Sequence, residues 1–279
     1  MQGAAPWNRL GIASLAAFLL AGCQAEKTGP EKSVTSFEDA TPRNVLAHGE
    51  RLTFVLGCQG CHGAGMTGQK WDDDPAGYGV MWASNLTRAV PLMTDVQLEG
   101  LLRRGVHPSR KDLWVMPSQM FQHLSAPDMA AVIAYLRTLP PTGDLSPPPV
   151  PGPKARSEVA AGAYKPAATL AVELRNVLPA DAGSQFAPGR YITSLTCVEC
   201  HGPKLEGGSA PEGNVPNLIV VGAYSPAEFD HFITTGETPG NRKINSLMVQ
   251  VAKSRFSKLT PVERKAVYAY LRARAKLPQ

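Results

Sequence analysis

Four of the five cysteines stand in two Cys-x-x-Cys pairs, each followed at once by a histidine: Cys58-Gln59-Gly60-Cys61-His62 and Cys197-Val198-Glu199-Cys200-His201. Four thiolates can make a zinc site, but these pairs lie 139 residues apart and zinc would leave both histidines idle. A dithiol redox site needs a strand-rich α/β context that is missing, and a structural disulfide gives no reason for the histidine. Thioether attachment of haem uses all three residues. The two thiols take the vinyl groups on one edge of the porphyrin, and the next residue falls beneath the iron with an imidazole nitrogen to offer. The spacing therefore predicts two covalently bound haem c groups, one held by Cys58, Cys61 and His62, the other by Cys197, Cys200 and His201.

Cys23 has a different use. Arg9 precedes an apolar run from Leu10 to Leu20, which is too short for a permanent membrane-spanning helix. The run ends Leu20-Ala21-Gly22-Cys23, which resembles the bacterial lipobox, where the cysteine becomes the lipidated first residue of the mature chain. Residues 1–22 are expected to be a lipoprotein signal peptide. Residues 23–43, with few large apolar side chains, read as a flexible tether. The protein is then exported and lipid-anchored to a membrane, facing the periplasm or the cell exterior.

The elements that must position the two motifs are written twice, as an internal repeat. Placing Cys58 on Cys197 brings Gly49-Glu50-Arg51 near Gly189-Arg190-Tyr191, and Ser84-Asn85-Leu86 near Pro216-Asn217-Leu218. A helix opened by Thr94 with Gln97 matches one opened by Ser225 with Glu228, both fitting a capping box. Both are expected to stop at a glycine, Gly105 and Gly236. The closing helices match best: Ser125-Ala-Pro-Asp128 leads into Ala134-Tyr135-Leu136-Arg137, and Thr260-Pro-Val-Glu263 into Ala269-Tyr270-Leu271-Arg272. Each has a cap, a proline in its first turn and apolar residues at helical spacing. Period-two strand patterns are almost absent. The fold expected is all-α: domain 1 over 44–140 and domain 2 over 186–279, joined across 141–185. Seven of the fourteen residues from Pro140 to Pro153 are proline, which favours an extended, semi-rigid linker. Residues 154–187 carry no pattern beyond a short helix and read as a packing strap.

Composition sets bounds on partners. A hydrophobic content of 43% excludes general disorder. The 28 basic and 23 acidic side chains give a formal charge of +5, which the propionates of two haems, about four in all, would largely cancel. The basic balance therefore gives no case for a nucleic-acid partner.

With these motifs in place, both halves resemble class I bacterial cytochrome c domains, most closely those of the cytochrome subunits that serve periplasmic dehydrogenases. The resemblance runs from about Val45 to Leu139 and from about Pro188 to Leu277. It implies that first and last helices cross at a glycine and an aromatic residue, Gly49 with Tyr135 and Gly189 with Tyr270. It also implies a methionine as the second axial iron ligand, on the loop before the last helix. Met248 is the methionine available after Cys200, with His231 as its rival. Met116, aligned with Met248 and followed by Pro117, fills the role in the first half, ahead of Met120, Met81, His107 and His123. His48 reads as solvated or structural. The function implied is electron transfer by a membrane-anchored di-haem carrier between redox proteins such as a dehydrogenase, an oxidase or a soluble cytochrome. It could also serve as the electron-accepting subunit of a dehydrogenase complex. The alternative is a di-haem enzyme, peroxidase-like or acting on sulfur compounds, which would need one iron with an open or displaceable face.

Overall fold

The computed structural model describes residues 35–38, 43–210 and 213–278; Cys23 and the expected signal peptide, 1–22, lie outside them. Each half begins and ends on a helix, and those two helices cross. In the first half α1 (Val45–Val55) meets α6 (Ala126–Thr138); in the second, α9 (Ala187–Thr196) meets α13 (Pro261–Arg274). The crossings need glycine because backbone approaches backbone there. A Cβ on Gly49 would overlap the Ala131 carbonyl and lie 2.9 Å from Tyr135 Cβ, and one on Gly189 would overlap the Ala266 carbonyl and lie 2.6 Å from Tyr270 Cβ. The glycine–tyrosine pairs of the repeat are these two contacts.

Between the crossing helices come α2 (Cys58–His62), α3 (Leu86–Ala89), α4 (Asp95–Arg104) and α5 (Ser118–Phe121) in the first half. Their counterparts in the second are α10 (Val198–His201), a 3-10 turn over Leu218–Ala223, α11 (Pro226–Thr235) and α12 (Ser246–Ser254). Capping boxes close on Thr94 with Gln97, Ser225 with Glu228 and Thr260 with Glu263, and Gly105 and Gly236 take left-handed φ angles of 65° and 76°. Each such cap contributes about 1 kcal/mol by satisfying amides that the helix leaves without partners.

Two small hairpins were not legible in the sequence: β1 (Gln69–Asp74) with β2 (Gly79–Ala83), and β4 (Gly208–Ala210) with β5 (Gly213–Val215). β1 reads Gln-Lys-Trp-Asp-Asp-Asp and exposes most of its residues, so it lacks the alternation by which a half-buried strand is recognised.

The proline-rich segment does not span open space. Asn85 Nδ2 donates to the carbonyls of Thr142 (2.7 Å) and Asp144 (2.8 Å), Ser146 Oγ donates to Ala83 O (2.9 Å), and β3 (Val150–Pro151) adds to the edge of β2. An extended strand rich in proline suits an edge, where few amides are asked to pair. α7 (Pro153–Ala160) and α8 (Ala167–Glu173) follow, and α8 packs on α4 and α5. Tyr164 stacks on Trp114 with ring centres 4.9 Å apart and donates to Asp112 Oδ2 (2.8 Å). Most of the segment expected to be a linker is folded onto the first half, and its end is held by the second, where Arg190 Nε donates to Pro179 O (2.7 Å) and Tyr270 OH to Ala180 O (2.8 Å).

The two halves share one continuous apolar core, which joins Leu52, Phe121 and Leu136 to Ile192, Phe256 and Tyr270. Thr35–Glu38, expected to be tether, contribute to it. Phe37 is 2% exposed and meets Tyr191 edge to face, at 5.5 Å between ring centres. Around it lies a reciprocal polar exchange. Asp128, at the third position of α6, accepts from Phe37 N (3.0 Å) and from Tyr191 of the second half (2.6 Å). Glu263, at the third position of α13, accepts from Glu38 N (2.9 Å) and from Arg51 of the first half (2.7 Å). Arg51 and Tyr191 each stand two residues after their crossing glycine. Residue i meeting j′ while j meets i′ is the pattern of an isologous interface, here within one chain. No helix among the described residues is long and apolar enough to cross a membrane.

Candidate haem sites

Gly57, with a left-handed φ of 79°, ends the approach from α1 and lets the chain start the single turn of α2. One helical turn brings residues i, i+3 and i+4 to the same side, so Cys58, Cys61 and His62 present together. Cys197 is the N-cap of the equivalent turn α10, which carries Cys200 and His201.

Both histidines are oriented by the same device. His62 Nδ1 lies 2.8 Å from the Ser84 carbonyl and His201 Nδ1 lies 2.9 Å from the Pro216 carbonyl. A carbonyl only accepts, so Nδ1 carries the proton and Nε2 keeps the lone pair that a metal would use. Burial lowers the pKa of each imidazole and the carbonyl bond opposes this only in part, which favours the neutral form a ligand requires. The asparagine that follows each carbonyl caps the next turn: Asn85 accepts from Thr87 N and Asn217 from Ile219 N, both at 3.0 Å. The repeated Asn-Leu is therefore the bracket that sets the histidine, a role the sequence marked by position only.

Cys58 and Cys197 are not arranged as reactive thiols. Burial, partly offset by the Arg255 charge, pushes Cys58 up to about 12. Burial likewise pushes Cys197 up to about 11, against the Thr196 hydroxyl and Arg255. Buried thiols of this kind are not poised as thiolates at neutral pH. Among the described residues no three of His, Cys, Asp and Glu converge as a metal cage, so the four thiols do not form one zinc site.

A cavity of about 290 Å³ opens beside α2. Cys58, Cys61 and His62 line it together with the apolar Leu98 and Val132, and with Met116, the residue before Pro117. A thioether-forming edge, a neutral imidazole and an apolar slot with a methionine sulfur fit a c-type haem. Met81 and His107 also line this cavity. Met120 and His123 do not; both line a second cavity of about 220 Å³ between α5, α8 and the α9–α10 region. In the second half Met248 lies in the first turn of α12, not on a loop, and packs half-buried against the core. His231 is exposed and pairs with Glu237 at 2.9 Å. His48 is structural: fully buried, with Nε2 2.7 Å from Asp128 Oδ1.

Comparison with known proteins agrees with this geometry. The family model described as Cytochrome c matches twice, over residues 46–140 and 186–275. A curated relative from Cereibacter sphaeroides, named "Diheme cytochrome c-type", is 25% identical over 257 residues, covering 81% of this chain and 84% of the relative.

Proposed function

Because the chain belongs to the cytochrome c family and carries two covalently bound haem c groups, we propose that it is a di-haem electron relay held at a membrane surface by lipid on Cys23. In this reading Cys58 and Cys61, and Cys197 and Cys200, hold the porphyrins, while His62 with Met116 and His201 with Met248 fill the axial positions. Haem with both axial positions filled exchanges single electrons at the iron and leaves no open site for a substrate. The protein's part is to fix the imidazoles through Ser84 and Pro216, exclude water with the apolar core, and hold the two sites in one body. The matched histidine brackets of the two halves carry this reading most directly.

The partners are redox proteins of the periplasm or the membrane, a dehydrogenase, an oxidase or a soluble cytochrome; the chain could be the electron-accepting subunit of such a dehydrogenase. Crosslinking in native membranes, followed by identification of what is captured, tests this. A captured redox protein supports the relay. The enzymatic alternative rests on His107 at the edge of the first cavity, although its Nδ1 already accepts from the amides of Ser109 and Arg110, each at 3.1 Å. Stoichiometric carbon monoxide binding to the reduced protein, with peroxide turnover lost in His107→Gln, would favour that alternative over the relay.

A further inference from the structure

One side chain connects the two attachment turns. Arg255, at the C-cap of α12 in the second half, reaches into the first: its Nε donates to the Val55 carbonyl at 3.2 Å. Its guanidinium carbon lies 2.7 Å from where a Cβ would sit on Gly57, the residue before Cys58. The absence of a Cβ there leaves the guanidinium room in this position. On its other side Arg255 Nη1 donates to Glu199 Oε2 at 2.9 Å, and Glu199 lies between Cys197 and Cys200. Glu199 also lines the cavity of the first half beside Cys58, Cys61 and His62. One arginine thus touches the approach to the first Cys-x-x-Cys-His and the interior of the second.

We propose that Arg255 is a positioning residue for electron passage between the two haem sites, tying the attachment turns together and placing one permanent positive charge in the seam between them. This rests on reading the two motifs as the haem attachment sites. A guanidinium stays protonated at any working pH. The Arg255 side chain is 13% exposed against 35% for its partner Glu199, and its buried Nη2 has no hydrogen-bond acceptor among the described residues. The pair therefore leaves residual positive character in a poorly solvated place, where charges act over distance. A positive charge favours the electron-bearing state of a neighbouring redox centre. At the second site Glu199 offsets the charge, so the first site, which Arg255 reaches through Val55 and Gly57, gains most.

The test is spectroscopic redox titration of the full di-haem protein, with the rate of electron exchange between the haems followed after rapid partial reduction. Arg255→Gln should lower the first site's potential and shift a shared electron toward the second site about tenfold, ~59 mV for a one-electron couple, and slow the exchange. Glu199→Gln removes the offsetting carboxylate and leaves the Val55 contact, so it should shift the potential the opposite way. Opposite shifts establish the role, and Glu199→Gln decides alone if Arg255→Gln fails to fold. Unchanged potentials and exchange in folded variants, or shifts of the same sign in both, would overturn the proposal. A haem count below two in the unaltered protein would overturn the site reading instead, so the two failures are told apart.

Discussion

Replacing Asp128 by alanine asks whether the two halves and Phe37 are held as one unit. The side chain is fully buried, and its two oxygens accept from four donors. Oδ1 takes His48 Nε2 at 2.7 Å; Oδ2 takes Phe37 N at 3.0 Å, Ser125 Oγ at 2.8 Å and Tyr191 OH at 2.6 Å. Alanine removes every acceptor at once. Ser125 Oγ can turn elsewhere, but the Phe37 amide cannot rotate and the Tyr191 ring is pinned in the core. A buried donor left without an acceptor costs about 1–3 kcal/mol, so two or three of them make a loss of about 3–5 kcal/mol. For a body of this size that lowers the melting temperature by roughly 6–20 °C. Tyr191→Phe, which removes one of the four, should cost about 1–2 kcal/mol. The double variant should lose less than the sum, because the two residues share a bond.

The assay is urea and thermal unfolding of the full chain, followed by far-UV circular dichroism. A loss below about 1 kcal/mol for Asp128→Ala, or full additivity with Tyr191→Phe, would refute the reasoning. The pH dependence gives a second reading. Burial raises the Asp128 carboxyl, but the bonds from His48, Tyr191, Phe37 and Ser125 outweigh it and hold the group below its ordinary range. A carboxyl depressed in the folded state contributes stability above its unfolded pKa, and that contribution is lost as pH falls through the folded value. The unaltered protein should therefore lose part of its stability below about pH 4, and Asp128→Ala should lack that part.

The intact protein should exceed the apoprotein mass by two haem units after acid extraction, and Cys61→Ser or Cys200→Ser should reduce this toward one. Met116→Ala should abolish the long-wavelength iron–sulfur band of one site and lower its potential, while Met120→Ala, which lies in the other cavity, should leave the band intact; the reverse pattern would reassign the ligand. Gly189→Ala should destabilise the second half by about 2–3 kcal/mol, measured by urea unfolding, because its Cβ meets the Ala266 carbonyl and Tyr270. Cys23→Ala should move the red protein from the membrane to the soluble fraction, since two or more acyl chains give stable attachment; finding unaltered protein already soluble would refute the anchor.

What could be read in the sequence was local chemistry. The haem motifs, the capping boxes and the helix-ending glycines are set by residues within four positions of one another, and spacing records them. The crossing of first and last helices came from resemblance, and its reason, a carbonyl filling the place of a Cβ on Gly49 and Gly189, is a contact between distant segments. Where the proline-rich stretch packs was not legible, because proline content reports stiffness and says nothing of destination. Asn85 and the edge of β2, which hold that stretch, lie some 60 residues upstream. Phe37 was assigned to a tether because one buried aromatic in a polar run makes no pattern, and Asp128 and Glu263 looked like ordinary first-turn acids. The bracket on His62 was hidden for a plainer reason: its acceptor is a backbone carbonyl, which has no letter.

The reciprocal interface also explains why two similar halves need not behave alike. Asp128 and Glu263 occupy the same helix position and each takes a residue from the opposite half, so duplication alone would give two equivalent seams. The equivalence fails at one place. Arg255 corresponds, at the offset of 132 that relates Met116 to Met248, to His123. Arg255 fills its seam and reaches Val55 and Glu199. His123 is shorter, and its side of the interface holds the cavity of about 220 Å³ with Ser194 and Glu199 on the wall. Burial and the Arg103 charge both lower the His123 pKa, so at neutral pH that position carries no fixed positive charge to match the arginine. One seam is filled by an arginine that pairs with Glu199; the other carries a histidine in its place and keeps a cavity. On the proposal made for Arg255, two haems bound by the same motif would sit in different fields, and a shared electron would favour one side.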